Sequence, residues 1–411
     1  MKKTTAKNNV HIIFLIYWVV LVAWQNLSAV TNRSGLDLFI KVGLLGMLTI
    51  YILTHNRIAL GKPLIIWICL CGCLLITFIS KETWSFGVLV SYVFPILFVF
   101  LTLVVGGEFT IDKEQLITFL HVVIAIVFYM AAYAIVFCTD QFASAFSITS
   151  AYGNELSSFL ISSHEYGLYL VGGITSCLIC LYFKQLDSLK AKVPYIVSLV
   201  LFVPNLILTF SRTSLVGMAC VIIAFILLGK SGKLKRTMLL FVSVFALCMI
   251  FIPALRIFFY SIVFKGNASA GRDVLFSMAI DYYDEGSLVE KLWGQGITES
   301  RQYFERETSH GSVHNAYLQI LLYFGVIVLM LLFAFFLAQF YSDFKMLRTD
   351  RFWGAIFFGI HLMCVAVMMT NTAFLFNSSI DSYFLTIFTI VVPKYVRNAI
   401  CSGVFETAQE K

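Results

Sequence analysis

The chain has 411 residues, of which 60% are hydrophobic and only 12% charged, and its formal net charge is +7. Soluble domains carry about twice that charged fraction, so a single water-soluble core is excluded, and a bilayer is the solvent that accommodates this much apolar surface. The positive charge does not read as a nucleic-acid patch, because the Lys and Arg residues sit in short loops between apolar runs, where they report topology.

A helix needs roughly 20 apolar residues to cross about 30 Å of hydrocarbon. Twelve runs qualify: 11–30, 37–54, 63–80, 84–105, 115–137, 165–183, 193–210, 213–229, 237–258, 314–340, 352–370 and 379–393, the last being the shortest. The first follows a basic N-terminus. A cleaved signal peptide is the rival reading there, but the run is long, holds Trp18 and Trp24 and lacks a small-residue cleavage site, so it reads as a span. Cys69, Cys71 and Cys73 alternate along one run and point about 200° apart per step of two. They make no metal site, and no disulfide framework is expected.

Direction follows from the short loops. With a cytoplasmic N-terminus, the inner loops hold Arg57 and Lys62; Lys113; Lys184, Lys190 and Lys192; Lys230, Lys233, Lys235 and Arg236; and Lys345, Arg348 and Arg351. The tails add Lys2, Lys3, Lys7, Lys394, Arg397 and Lys411, which puts 19 of the 29 cations inside. Short outer segments keep only Arg33, Lys41, Lys81 and Arg212. The fold class is therefore an all-α integral membrane protein of about twelve transmembrane helices, both termini cytoplasmic. It is one domain, 1–411, with no repeat or linker. Charged residues inside the spans are nearly lacking, which argues against an ion-coupled pump.

Two outer segments are long, 138–164 and 259–313, the second lying between the ninth and tenth helices. The second carries most outer carboxylates, among them Asp281, Glu290, Glu299 and Glu307. Its stretch from Asp273 to Tyr283 has apolar residues at helical spacing and predicts a short helix near the membrane face. Gly294-Gln295-Gly296 reads as a turn.

Three features facing outward have chemical potential. In Ser211-Arg212-Thr213-Ser214 the arginine sits at the outer boundary with almost no loop around it. There it serves either as a snorkelling anchor or as an anion ligand, and the flanking hydroxyl residues suit a helix cap. Arg272, in Gly271-Arg272-Asp273, opens the predicted short helix, where the dipole disfavours a cation unless an anion is expected. The alternative is a surface Arg paired with Asp273. The run His310-Gly311-Ser312-Val313-His314-Asn315-Ala316-Tyr317 closes the long segment and opens the next span. Gly311 and Ser312 make a two-His metal site unsuitable, and His314 fits a proton acceptor or a hydrogen-bonded interfacial residue. His164-Glu165-Tyr166 opens the sixth span on the same side, either lining the same cavity or forming a structural polar patch.

Three local matches resemble the O-antigen ligase and O-antigen polymerase superfamily of bacterial inner membranes: "TFSRTSLVGMAC" at 209–220, "GRDVLFSMAIDYY" and "LWGQGI" at 271–283 and 292–297, and "HNAYLQILLYFGVIVL" at 314–329. Their order and spacing are similar to the family's C-terminal half, here 195–340, with 259–313 as its periplasmic loop; the N-terminal half matches in hydropathy alone. The resemblance implies a fold like the C-type lipid-dependent glycosyltransferases, no metal or other cofactor, and a glycan donor linked to undecaprenyl pyrophosphate. The acceptor is then a second lipid-linked repeat unit, for a polymerase, or lipid A–core, for a ligase. Bilayer lipids, a chain-length regulator and a flippase are the other partners it implies, and the site faces the periplasm. It assigns Arg212 and Arg272 to a pyrophosphate clamp and His314 to the general base, with Ser211, Asn315, Tyr317, His164 and Glu165 as candidate substrate contacts. The wording "VHNAYLQ" is nearer to polymerases and generic family members than to ligases. A modest outer segment without an obvious subdomain departs from what recognition of a large core oligosaccharide requires. A non-enzymatic glycan transporter is the further alternative.

Overall fold

The computed structural model describes residues 46, 62–81, 113–145, 155–160, 162–183, 188–230, 232–253, 256–257, 259–260, 272–308, 312–371 and 385–403. Among them all regular structure is helical. In chain order the helices are α1 (Lys62–Lys81), α2 (Lys113–Phe137), α3 (Thr139–Ala145), α4 (Ser163–Phe183), α5 (Leu189–Leu208), α6 (Arg212–Leu228) and α7 (Lys233–Phe251). They continue with α8 (Arg272–Glu285), α9 (Leu288–Trp293), α10 (Ile297–Thr308), α11 (Ala316–Thr349) and α12 (Arg351–Thr370). A π-helical segment, Ile387–Val391, then leads into α13 (Val392–Cys401).

Six of these helices, α2, α4, α5, α7, α11 and α12, are long and apolar enough to cross a membrane, and α6 and most of α1 are shorter apolar helices. These eight fall on the runs expected at 63–80, 115–137, 165–183, 193–210, 213–229, 237–258, 314–340 and 352–370. The runs at 11–30 and 84–105, and all but one residue of 37–54, lie outside the described residues.

Hydrocarbon provides no hydrophobic drive between helices, so close approach depends on small residues at the crossings. Gly217 of α6 faces Met363 of α12, and Gly359 of α12 lies against Val221 and Ala224 of α6. Gly173 of α4 receives Val127 of α2 and Phe202 of α5. Contacts at the two ends fix helix direction. Thr213 at the start of α6 hydrogen-bonds Thr370 at the end of α12, 2.7 Å, and Phe225 near the end of α6 meets Phe352 at the start of α12 with ring centroids 5.7 Å apart. Tyr182 at the end of α4 stacks on Phe352 at 3.5 Å. Helices α4 and α6 therefore start at the end where α12 finishes.

The tenth expected span is not one straight helix. Gly325, inside α11, has φ 80° and ψ 178°, which interrupts the helix. The rings of Tyr317 and Phe333 stack with centroids 5.4 Å apart, although 16 residues of straight helix would separate them by about 24 Å. The first limb, 316–324, thus doubles back against the second. The carbonyls released at the break are met by another turn: Gln295 N–H donates to Leu322 O at 2.8 Å and Gly296 N–H to Tyr323 O at 3.1 Å. Gly294, at φ 84°, faces Gly325 across this crossing, and a Cβ on either would collide with the other strand's backbone. The expected turn at 294–296 is present, and its role is to receive the break in α11.

The expected inner loop 341–351 also differs. Helix α11 runs on to Thr349, and Asp350 alone connects it to α12, its carboxylate capping that helix by accepting from Phe352 N (2.9 Å) and Trp353 N (3.2 Å). Along the extension, Asp343 is wholly buried and lies 2.6 Å from His361 Nδ1, while Arg397 of α13 binds its other oxygen. Arg397 also donates to Gln339 Oε1 at 3.1 Å, and His361 Nε2 donates to the Thr389 carbonyl at 2.6 Å. That carbonyl belongs to the π-helical segment, a geometry frequent at functional or strained sites. Spans nearly lacking charge were expected from the sequence; instead a residue from a supposed loop, one from a span and one from the tail meet in the interior. The network fastens α13 to α11 and α12. Removing Arg397 leaves the buried Asp343 carboxylate with His361 as its remaining partner, and breaking a buried pair costs about 3–5 kcal/mol. Arg397→Ala is therefore expected to lower the unfolding midpoint of the detergent-purified protein by several degrees, as read by intrinsic fluorescence.

Candidate active site at the open end of the bundle

The turn between α5 and α6 is as short as the sequence requires. Thr209 ends α5, and Phe210 takes the left-handed conformation (φ 49°). Ser211 caps α6, accepting from Ser214 N at 3.3 Å. Arg212 is the first helical residue. A cation at the positive end of a helix dipole is unfavourable by itself, so the turn is stabilised from elsewhere. His164 Nδ1 lies 2.9 Å from Ser211 Oγ, which is 2.8 Å from Ser214 Oγ, and that hydroxyl also donates to the His164 carbonyl at 3.4 Å. Ser211 and Ser214 are fully buried. Gly167, one turn into α4, leaves the space that Ser214 fills. Of the residues expected at this face, His164 and Ser211 are thus brought together in the support of Arg212. Glu165 is half-buried beside them on α4.

His314 also takes a left-handed conformation (φ 54°), uncommon for a side chain of its size. Strain of this kind concentrates at functional sites. Asn315 caps α11, accepting from Tyr317 N at 3.0 Å and Leu318 N at 3.1 Å. The Tyr317 hydroxyl donates to the Val365 carbonyl of α12 at 2.9 Å. Asn315 and Tyr317 are therefore engaged in holding the segment that presents His314. Because α12 ends at Thr370, this contact places the start of α11 within two turns of the same end as Arg212.

Arg272 is the first residue of α8, half-buried. Helix α8 packs onto the first limb of α11 through Ala279, which is buried in one apolar cluster with Ala316, Ile320 and Leu322. Tyr282 of α8 stacks on Tyr303 of α10 at 3.9 Å. Burial first, then Glu299 and Glu290, push its hydroxyl up to about 12. Helix α9 carries a capping box between Ser287 and Glu290, and Lys81 of α1 pairs with Glu290 at 3.3 Å. Thr77 of α1 donates to the Trp293 carbonyl at 2.8 Å. Helices α8, α9 and α10 are thus tied to α1 and α11 at the end of the bundle that carries Arg212.

The hydrogen bonds from Ser287, and after them Lys81, hold the Glu290 carboxyl below its ordinary range. A carboxylate lowered in the folded state contributes stability above its unfolded pKa and loses it as the pH falls through the folded value. The group is well solvated, so the effect is small, under about 1 kcal/mol. The protection factors of the α9 amides are expected to fall as the pH drops through and below the ordinary carboxylate range in the wild type, and Glu290→Gln to remove that acid dependence.

Among the described residues, no three of His, Cys, Asp and Glu stand together as a metal-holding group. Arg212 and Arg272 begin α6 and α8, and His314 immediately precedes the Asn315 cap of α11. Sequence reasoning missed the buttress role of Ser214 and Gly167, although their spacing from Ser211 and His164, three residues each, was open to helical reading.

Residues 197–333 match the family model described as O-antigen ligase. None of the curated proteins compared with the chain matches it. Arg212, Arg272 and His314 all lie inside the matched segment. Over that segment the chain is similar to the O-antigen polymerase and ligase superfamily, and its several apolar helices suit a multi-pass membrane protein.

Proposed function

We propose that the protein is a polymerase of lipid-linked oligosaccharide repeat units, acting at the periplasmic face of the bacterial inner membrane and building O-antigen or a related surface polysaccharide. The observation that carries the reading is the placement of Arg212 and His314 at one end of the bundle: Arg212 begins α6, His314 immediately precedes the Asn315 cap of α11, both sit in strained or buttressed turns, and both fall within the matched segment. The topology that goes with it is about twelve spans with both termini cytoplasmic and a fold of the C-type glycosyltransferase kind.

The chemistry is a single displacement at the anomeric carbon. An acceptor hydroxyl attacks C1 of the donor glycan, and its proton passes to His314. The C1–O bond to undecaprenyl pyrophosphate breaks, and its electron pair leaves with the pyrophosphate. Arg212 and Arg272 neutralise the charge that develops there, with bidentate hydrogen bonds suited to phosphate oxygens. The N-terminus of α6 adds its dipole to the same task. This work needs no metal. A chain-length regulator and a flippase are the partners that such a polymerase requires.

Complementation of a deletion strain tests the reading. The strain is expected to carry single repeat units on lipid A–core, wild-type protein to restore the ladder of chain lengths, and His314→Ala to restore less than about one hundredth of it. Complete loss of glycan from lipid A–core in the deletion strain, with long chains retained on undecaprenyl pyrophosphate, establishes the ligase instead. Near-normal ladders from His314→Ala, Arg212→Ala and Arg272→Ala establish a transporter.

A further inference from the structure

The other end of the bundle, where α4, α6 and α11 finish and α12 begins, holds an open cleft of about 980 Å³. Its wall includes Lys230, Arg348 and Arg351, together with Tyr182, Leu227 and Phe344. Among the described residues none of these three cations makes an ion pair; the pairs present lie elsewhere. Among the described residues the one carboxylate at the cleft, Asp350, is 9% exposed and is occupied in capping α12. Among those residues three cations stand against one carboxylate, an excess of two positive charges. Lys230, Arg348 and Arg351 are exposed at the mouth of the cleft; like charges gathered there repel one another, and an anion relieves that repulsion.

The apolar part of the wall identifies the anion's carrier. Leu227 is 71% exposed and Phe344 52% exposed, next to the cations. A free inorganic anion makes no use of such a surface. A molecule with a phosphate at one end and acyl chains at the other matches both parts, and a bilayer supplies it at the depth where helices end in basic residues. We infer that this cleft is a binding site for an anionic phospholipid, with the headgroup phosphate between Lys230, Arg348 and Arg351 and an acyl chain along Leu227 and Phe344. The site is independent of the proposed transfer reaction, since it shares no residue with the outer-face site.

General attraction between a basic membrane surface and anionic lipid is the competing account, and the chain provides its own control. Lys233 and Arg236 of α7 and Lys345 of α11 are basic residues near the same end that do not line the cleft. The test uses the full-length protein purified from phosphatidylcholine nanodiscs doped with phosphatidylglycerol, with retained lipid counted by native mass spectrometry. Wild type is expected to retain phosphatidylglycerol over phosphatidylcholine. The triple variant Lys230→Gln/Arg348→Gln/Arg351→Gln is expected to lose that preference on the order of tenfold or more, while Lys233→Gln/Arg236→Gln/Lys345→Gln, with the same change in charge, keeps it. Arg348→Gln alone, a milder change at an exposed position, is expected to lose several-fold. Equal losses from the two triples, or unchanged retention in both cleft variants, overturn the inference. Displacement of the lipid by millimolar inorganic phosphate overturns it in favour of a free anion.

Discussion

Arg212→Lys is expected to lower glycan transfer on the order of a hundredfold, nearly as far as Arg212→Ala, in protein that folds and inserts normally. Lysine keeps the charge, so a residue acting only as a snorkelling anchor would tolerate the change. A clamp for a departing pyrophosphate would not, because the guanidinium presents parallel donors in a fixed plane and the ammonium is a point charge on a flexible stem. The structure strengthens the contrast. Arg212 is the first residue of α6, its backbone set by the Ser211 cap and by His164 behind that cap. The backbone from which the side chain departs is thereby fixed for either residue, so the planar fork of donors is what a lysine cannot reproduce. Turnover of a purified lipid-linked repeat unit, measured beside the yield and melting behaviour of each variant, checks this. A lysine variant within about threefold of wild type, against the expected hundredfold, would make Arg212 an anchor and remove the main support for the clamp.

Much of this architecture was legible in the sequence, for physical reasons that differ from element to element. Long apolar runs declare themselves because every backbone polar group in hydrocarbon must be satisfied within a helix, and eight of the expected runs correspond to described helices. The start of α6 was legible because a cap needs a hydroxyl at a fixed offset, and Ser211 supplies it. The turn at 294–296 was legible because two glycines flank one residue. Other features were not. Asp343, His361 and Arg397 are 18 and 36 residues apart along the chain, and nothing local in their neighbourhoods records that they meet. The supposed loop at Asp343 was inferred from the basic residues that follow it, and those residues instead extend α11 past the apolar run. His164 and Ser211 pair across 47 positions, so their relation is a property of how α4 packs on α6. The break in α11 was hidden for another reason: Ile320 to Leu332 is apolar throughout, and hydropathy does not record that the chain reverses within it.

Gly325→Ala is expected to remove most of the folded protein from the membrane, about tenfold or more in yield, and with it all transfer activity. Two separate penalties act at this residue. The combination of φ 80° and ψ 178° lies in a region essentially restricted to glycine and carries a strain of about 1–3 kcal/mol for an alanine. A Cβ would also strike the backbone at Leu292 and Gly294, which cannot move aside without giving up the hydrogen bonds from Gln295 to Leu322 and from Gly296 to Tyr323. Those two bonds satisfy carbonyls freed by the break, and in an apolar setting each orphaned group costs several kcal/mol. Gly294→Ala meets the reciprocal collision, with Tyr323 and Phe324, and is expected to fail in the same way. Gly72→Ala, where a Cβ meets nothing within 4 Å, is the matched control and is expected to express as wild type. The consequence for the site is direct. The doubled-back limb 316–324 begins at the Asn315 cap, one residue after His314, so the position of the proposed base is set by the crossing at Gly325. Membrane-fraction yield and limited proteolysis within 288–324 decide the matter: if Gly325→Ala accumulates normally with unchanged cleavage, the doubled-back limb is not how the chain folds, and His314 would then begin a straight span.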